Sequence, residues 1–498
     1  MRDRRRSAGS LVGIGCVVAF TLTFLVPLTA LSPTASATVR CRATSTDSDN
    51  DSIPDCWERR NGLVVGRRDH LTDKDHDGLR AIDEFRLDAA TGGIFGPYRA
   101  NVANSDDDGG FVKDGWIQPT IDGWEDFDGD GFVNTAERAW RTNAALPGRH
   151  PRLPDTGCVT MPRGVASDGS TNVTLLMQAV LDSVPDGRCL RFRLDGRYRH
   201  DGTLTLAGRN DLTIDGNGAV LFTDRRGRIL PGAPNSKRSH VRVIAGSNVT
   251  IKDLSIDGPN RRGTSPDIYE SEHGFNVMGA AGLTIVDSSV RQVYGDFVYI
   301  DDVTWPFFSG IMSPTSGLLV LDNTFKVAGR HGLGVSGNAV GVRFEGNLVQ
   351  RVQRSGVDFE LHPARAISNI EIVGNTFRAF NLNWIAAGSG PATDIYIGFN
   401  QILGDSMHLK MGPRDAPPGH ERWTFEGNVS NFEHRSDREV FFVRRTHGVT
   451  FIGNVQPMYP GGGGRVFGIY DDVCGITLID NSFLNYQVLF YPVEPPPC

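Results

Sequence analysis

Three runs of alternating carboxylates in the first third of the chain have the spacing that encloses a hard cation. Asp126, Asp128, Asp130, the Phe132 carbonyl, Asn134 and Glu137 stand at positions 1, 3, 5, 7, 9 and 12 of a twelve-residue loop, with Gly131 at its tightest turn. Alternate side chains wrap the ion from one side, and the closing acid reaches back bidentately from the following helix. Asp73, Asp75, Asp77, Leu79 and Glu84 repeat the pattern, with Ala81 at the ninth position where water can serve. Asp47, Asp49, Asp51, Ile53, Asp55 and Glu58 repeat it again, with Ser52 where glycine is usual. The expected ion is calcium. A second chemical group lies far downstream, where Asp301, Asp358 and Glu360 are followed by His408 and Lys410. Carboxylates mixed with basic groups suit acid–base work on a glycosidic bond. Tyr299, Asp302, Trp305, Arg330, His331 and His362 flank them as candidate substrate contacts.

The surrounding chain constrains where this chemistry takes place. Residues 1–37 read as an export leader: Arg2, Arg4, Arg5 and Arg6, then an apolar stretch from Leu11 to Leu31, then Ala35-Ser36-Ala37 as a small-residue cleavage site. The expected location is extracellular, with no membrane association after cleavage. Outside the leader the cysteines are Cys41, Cys56, Cys158, Cys189, Cys474 and Cys498. An even set in an oxidising compartment predicts disulfides, and proximity favours Cys41–Cys56, Cys158–Cys189 and Cys474–Cys498. The formal net charge is −7, concentrated in residues 38–150 with 22 acidic and 14 basic residues. That balance argues against nucleic acid as a partner and for bound cations. A Pro/Gly-rich stretch near 147–157 divides the acidic module, 38–150, from the rest, 151–498.

The elements that must position the downstream group are marked by asparagine. Asn323, Asn347, Asn375, Asn400, Asn428, Asn454 and Asn481 recur every 24–28 residues, each after a short alternating strand such as Leu318–Leu321 or Ile370–Val373. A period in the twenties is the mark of a solenoid. Asparagine suits the turn because it tolerates the left-handed conformation, and stacked amides can bond one another in a ladder. A second strand is expected about ten residues beyond each Asn, its side chains alternating between core and solvent. Setting Phe275/Val277, Val298/Ile300, Leu333/Val335, Val357/Phe359, Ile385/Ala387 and Met407/Leu409 inward leaves two outward columns. One reads Asn276, Tyr299, Gly334, Asp358, Ala386, His408; the other Met278, Asp301, Ser336, Glu360, Gly388, Lys410. Small residues between the charged ones leave a groove floor. Upstream, Leu175, Leu176, Ala179, Val180 and Val184 recur at helical spacing.

A helix at the end of a stack, the stretch Asp195-Gly196-Arg197-Tyr198 to Gly216-Asn217-Gly218-Ala219, and the coils behind it resemble the pectate-lyase-like superfamily over about 330 residues. The resemblance implies an all-β right-handed parallel β-helix and leaves the activity open, because the superfamily holds lyases, hydrolases, epimerases and binding proteins. The acidic loops are similar to the thrombospondin-type-3 and EF-hand-like calcium modules of exported enzymes, which implies a structural stalk. Asp301-Asp302, Arg330-His331-Gly332 and His408-Leu409-Lys410 resemble the Asp-Asp, Gly-His-Gly and Arg-Ile-Lys order of polygalacturonases. The chain departs from that family in lacking Asn-Thr-Asp before the acid pair and in Arg330 and His408. The expected protein is a monomer acting on a polysaccharide, most simply a glycoside hydrolase with Glu360 as general acid, Asp301 as base and Asp358 in support. A lyase or epimerase would use Asp301, Asp358 and Glu360 to hold calcium, with Lys410, His408 or Tyr299 as base. A non-catalytic glycan-binding protein is the third reading.

Overall fold

The computed structural model describes residues 46–498 apart from 75–79, 91–125, 145, 228–235, 237, 302–312, 362–363, 389, 405–406, 413–418, 434–438, 459–464, 484–485, 487, 492–493 and the side chains of 86–90, 147 and 488. The leader, Cys41, Asp75, Asp77, Leu79, Asp302, Trp305 and His362 therefore lie outside the described residues. Arg42–Cys498 is one compact unit.

The chain winds into a right-handed parallel β-helix whose coils each contribute up to three short strands. In one coil these are Leu319–Leu321, Thr324–Ala328 and Leu333–Val335. Thr324–Ala328 belongs to a ten-stranded sheet running from Asp168–Asn172 to Val429–Ser430. The strands on either side of it form two further faces. Those faces join into one 22-stranded sheet where Phe441–Ile452 and Arg465–Ile479 turn the corner unbroken. Every strand pairing among the described residues is parallel, with the same inward residues stacked coil upon coil: Phe275, Val298, Leu333, Val357, Ile385 and Leu409 are consecutive partners. Alternation at period two is what lets each three-residue strand bury one side and expose the other.

The seven asparagines occupy the turn between the first and second strand of their coils and are buried from Asn323 to Asn454. From Asn347 onward each Oδ1 accepts two bonds from the preceding coil, whereas Asn323 Oδ1 accepts the Ser288 N–H alone. Asn375 Oδ1, for example, takes the Asn347 backbone N–H at 2.8 Å and its Nδ2 at 3.1 Å. Each Nδ2 also reaches back to a strand carbonyl, as from Asn375 to Phe344 O at 2.8 Å. The expectation that asparagine itself takes the left-handed conformation is overturned. The residue before it does so: Asp322 at φ 53°, Gly346 at 66°, Gly374 at 62°, Phe399 at 56°, Gly427 at 60°, Gly453 at 59° and Asp480 at 50°. Asparagine is there because an amide fully satisfies buried backbone groups of neighbouring coils.

Helix Thr174–Ser183 seals the first coils, with Met177, Val180 and Leu181 in the same apolar core as the strands. Helix Asn134–Trp140, at the end of the third carboxylate loop, joins that core through Ala139, with Trp140 packed against it. Gly164 N–H donates to Ala139 O at 2.9 Å. A Cβ at Gly164 would stand 2.1 Å from that oxygen, so only glycine permits the contact. The expected stalk is instead continuous with the solenoid core at this point, although composition changes across it. Disulfides Cys158–Cys189 and Cys474–Cys498 form as expected. Cys56 is also disulfide-bonded.

Candidate functional site

The site is built on the third face and on the turn that leads into it. On three successive coils this turn carries a buried side chain that accepts the backbone N–H of its counterpart one coil on. His273 Nδ1 accepts from Asp296 at 3.0 Å, Asp296 Oδ1 from His331 at 2.7 Å, and His331 Nδ1 from Ser355 at 3.1 Å. This second ladder runs forward along the stack, whereas the asparagine amides reach backward. With Nδ1 accepting, the singly protonated His331 ring carries its proton on Nε2. That atom faces Asp358 Oδ2 and Glu360 Oε1, each at 3.5 Å. Burial lowers the affinity of the His331 ring for a second proton, but Glu360, Asp296 and Asp358 outweigh it and raise its pKa.

Arg330, the neighbour of His331 in the turn, is buried and lies among three acids. Its guanidinium pairs with Glu360 and lies 3.5 Å from Asp296 Oδ2, with Nε 3.9 Å from Glu270. Burial opposes the ionised form of Asp296, yet Arg330 and His273 hold its carboxyl well below the usual range. The same contest splits the two outward acids. Burial raises Asp358 to about 6, with Glu360 and Asp296 adding to the effect and His331 and Arg330 opposing it. Burial would also raise Glu360, but His331, with Nε2 3.5 Å from Glu360 Oε1, and the charge of Arg330 bring it down to about 2. Strand Val357–Phe359 and the residue after it therefore present two carboxyls whose proton affinities are pushed in opposite directions, with one oxygen of each within 4.8 Å of the other.

Tyr299 forms the neighbouring wall. Its ring stacks on His273 at 4.2 Å and 7° between planes, and the Arg330 guanidinium lies 5.7 Å from its centroid. Gly334, opposite Tyr299 in register, must be glycine: a Cβ there would meet the Tyr299 ring at 2.8 Å and the Asp296 carboxyl at 3.2 Å. Asp301 follows on the same strand and face, with Arg242 as an electrostatic neighbour. Register pairs Ile300 with Val335 and Val335 with Phe359, so Asp301 and Glu360, each one residue further on, are two strands apart, about 9–10 Å along the stack.

The structure thus brings Tyr299, Asp301, Arg330, His331, Asp358 and Glu360 to one groove. It moves the last two candidates. Lys410, not His408, pairs with Ala386 and stands in the column of Tyr299 and Asp358. His408 lies in the turn before the strand, its carbonyl accepting from Trp384 and Ile385 N–H. The expected inward pair was two residues early, because Met407, Leu409 and Met411 alternate identically and cannot fix the register by themselves. Asp296 and His273 went unrecognised in the sequence. Their signal was available as a third column, two residues upstream of the strands, reading His273, Asp296, His331, Ser355.

The His331–Asp358–Glu360 group has metal-like proximity, but the donors do not fit a cation. A metal on Nε2 would displace the only ring proton that Ser355 allows, and Glu360 already has Arg330 and His331. The amino-terminal loops do fit one. Asp126, Asp128 and Asp130 offer oxygens within 4.8 Å of one another, as do Asp47, Asp49 and Asp51. In the third loop Asp126 accepts loop N–H groups on both oxygens and Asp128 and Asp130 on one each, as Asp130 Oδ1 does from Phe132 at 3.0 Å, while Asp128 Oδ2, Asp130 Oδ2 and Glu137 Oε2 are buried without a hydrogen bond. Glu58 and Glu137 are fully buried, and burial with the surrounding aspartates pushes them up to about 7 and about 8. Asp55 is taken by Ser48 N and Oγ, both at 2.7 Å, and Asn134 Oδ1 accepts from Phe127 N at 3.3 Å. In the second loop Asp73 lies 3.7 Å from Arg138, and Glu84 is buried on helix Ala81–Ala90.

No protein-family model matches the chain, and no curated protein matches it in sequence. Among solved structures, the endo-xylogalacturonan hydrolase of Aspergillus tubingensis is similar at 12% identity, over 68% of this chain and 94% of that one, with a TM-score of 0.44. A mannuronan C-5 epimerase A-module of Azotobacter vinelandii is similar at 17% identity, over 67% and 97%, with a TM-score of 0.45. The Dettilon tailspike protein is similar at 13% identity and a TM-score of 0.44, and the match takes in 65% of this chain and only 62% of the tailspike. None of these likenesses assigns an activity to this chain.

Proposed function

We propose that the protein is an exported glycoside hydrolase that cleaves a polysaccharide lying along the third face of the β-helix. The observation that carries this reading is the opposite displacement of two adjacent carboxyls, Asp358 upward and Glu360 downward, beside His331 and Arg330. Titratable neighbours pushed apart define an acid and its ionised partner. The environments exchange the roles expected from sequence. Asp358 is the general acid that protonates the glycosidic oxygen. Glu360, fixed by Arg330, is the supporting anion that keeps the Asp358 proton in place. Asp301, across the floor left by Gly334 and Ser336, is the base that activates water. Its two-strand offset leaves room for that water, as the roughly 6.5–9.5 Å carboxyl separation of inverting enzymes requires. Tyr299 and Lys410 contact the sugar chain on either side.

The test is a polysaccharide panel read for new reducing ends, for ultraviolet absorbance of unsaturated products, and for product anomer. Reducing ends without absorbance, with inverted configuration, are expected. Absorbance would replace hydrolysis by elimination, retained configuration would make Glu360 the nucleophile, and binding without products would leave a glycan-binding protein.

The carboxylate loops are structural calcium sites in the same reading. Buried Glu58 and Glu137, facing other acids, support it. The disulfides support export, and no helix among the described residues is long and apolar enough to cross a membrane.

A further inference from the structure

The first carboxylate loop is short of one ligand by the pattern that defines it, because Asp55 turns away to Ser48. The structure supplies another from outside the loop. One oxygen each from Asp51, Glu58 and Asp69 lies within 4.8 Å of the others. Asp69 comes eleven residues after Glu58, from the segment between the first two helices. Its Oδ2 accepts the Val64 N–H at 3.3 Å, while Oδ1 is buried and takes no hydrogen bond. Glu58 is fully buried with neither oxygen hydrogen-bonded, and one of them belongs to this group.

The segment is held there by the backbone as well. Arg68 Nε donates to Asp49 O at 2.9 Å, and His70 N–H donates to Asp51 Oδ2 at 3.3 Å. Thr72 N–H caps the Asp69 carbonyl at 2.9 Å, and the His70 and Thr72 carbonyls accept from Ile82 and Ala81 of the next helix. Asp69 is therefore a fixed carboxylate and not a mobile surface acid that drifts near the loop.

We propose that Asp69 is a direct ligand of the cation in the first loop, taking the place that the loop pattern gives to Asp55. The resulting set is Asp47, Asp49, Asp51, the Ile53 carbonyl, Glu58 and Asp69. An all-oxygen site with five carboxylates suits calcium, which accepts six to eight oxygens in flexible geometry, over magnesium, which keeps its waters. The ion then ties the loop to the segment that leads into the second helix. This rests on the reading of the loops as calcium sites.

The experiment is native mass spectrometry of the folded mature chain equilibrated with calcium alone, with Asp69→Asn and Asp55→Asn compared at one free calcium concentration. Asn at 69 keeps an acceptor for Val64 N–H. The expected result is one calcium fewer in Asp69→Asn, or about a tenfold weaker site, with Asp55→Asn unchanged. Equal calcium uptake by wild type and Asp69→Asn overturns the assignment while leaving the loops as calcium sites. A wild-type chain that takes up no calcium overturns both. Carbodiimide labelling of the wild-type chain gives a second readout independent of mutant folding: calcium should protect Asp69 and not Asp55, and equal labelling of Asp69 with and without calcium also overturns the assignment.

Discussion

Glu58, Glu137 and Glu360 are all glutamates set among other acids, and their environments push them in opposite directions. In the loops, burial and neighbouring aspartates raise Glu58 to about 7 and Glu137 to about 8. In the groove, Glu360 is held at about 2 although Asp358 and Asp296 stand close by. The difference is the source of positive charge. The groove contains its own in Arg330 and in the Nε2–H of His331, each fixed by the turn ladder. Among the described residues the loops place no comparable group against Glu58 or Glu137, and in the reading proposed above an ion from outside supplies the charge. An acid cluster with an internal counter-charge can do proton chemistry; one without it stores a binding site.

The sharpest way to break this comparison is to remove the proton that the groove retains. Asp358→Asn should lower the hydrolytic rate by about 10³-fold with substrate binding largely kept, measured as kcat against KM. In the wild type, activity needs Asp358 protonated and both Glu360 and Asp301 ionised. Since Asp358 is pushed up to about 6, the rate should fall as pH rises through about 6. A rate that rises through pH 6 would remove Asp358 from the acid role.

Removing the internal counter-charge should have the next largest effect. Arg330→Met leaves Glu360 and Asp296 without their main cation, so Glu360 takes up a proton at higher pH and no longer keeps Asp358 as the acid. A loss of about 10²-fold is expected, with the acid limb of the pH–rate profile moved upward and Arg330→Lys partly restoring it. A uniform loss without movement of the limb would make Arg330 a packing residue.

In the loops the matching operation is to withdraw the external charge. Chelation should destabilise the chain by about 3 kcal/mol relative to calcium at a hundred times its dissociation constant, read as a fall in thermal midpoint. Because helix Asn134–Trp140 shares the solenoid core, the first coils should loosen with the loop. Hydrogen exchange at Val159 and Leu190 should therefore quicken on chelation, while that at Phe451 should not. Equal exchange at all three would separate the module from the fold it adjoins.

The two regions also differ in how far they could be read from sequence. The loops are local: ligand and turn positions lie within twelve residues, so Asp126, Asp128, Asp130 and Glu137 were found by spacing. Asp69 was not, because nothing in a local pattern reports a ligand arriving from the next segment. The groove is assembled by stacking, and the asparagine step with period-two alternation made its register legible for five coils, placing Tyr299, Asp301, Asp358 and Glu360 on one face. It failed at Lys410, where the coil is one residue shorter between Asn400 and Leu409 and period-two alternation leaves a two-residue slip undetected. Asp296 and His273 were hidden for another reason. They lie in turns and point along the stack, where strand alternation makes no prediction. The acid–base roles could not be assigned from residue types, since Asp358 and Glu360 differ chiefly in which of them Arg330 reaches.

The smallest effect expected is also the most direct comparison, because the same substitution should have opposite signs in the two places. Glutamine for Glu360 removes the anion that Arg330 and His331 face and leaves a buried guanidinium short of a partner, so stability should fall by about 1–3 kcal/mol. Glutamine for Glu137, in calcium-free buffer, removes a buried carboxylate that faces Asp128 and Asp130 and keeps an acceptor for Thr142, so the chain should become more stable, by about 1 kcal/mol. Adding calcium should reverse the second sign and leave the first unchanged, because only Glu137 exchanges a repulsive neighbourhood for a ligand bond. Paired thermal or urea melts of both variants, with and without calcium, measure all four values on one scale. If Glu137→Gln destabilises the calcium-free chain as Glu360→Gln does, the loop contains a counter-charge of its own and the contrast between the two regions is lost.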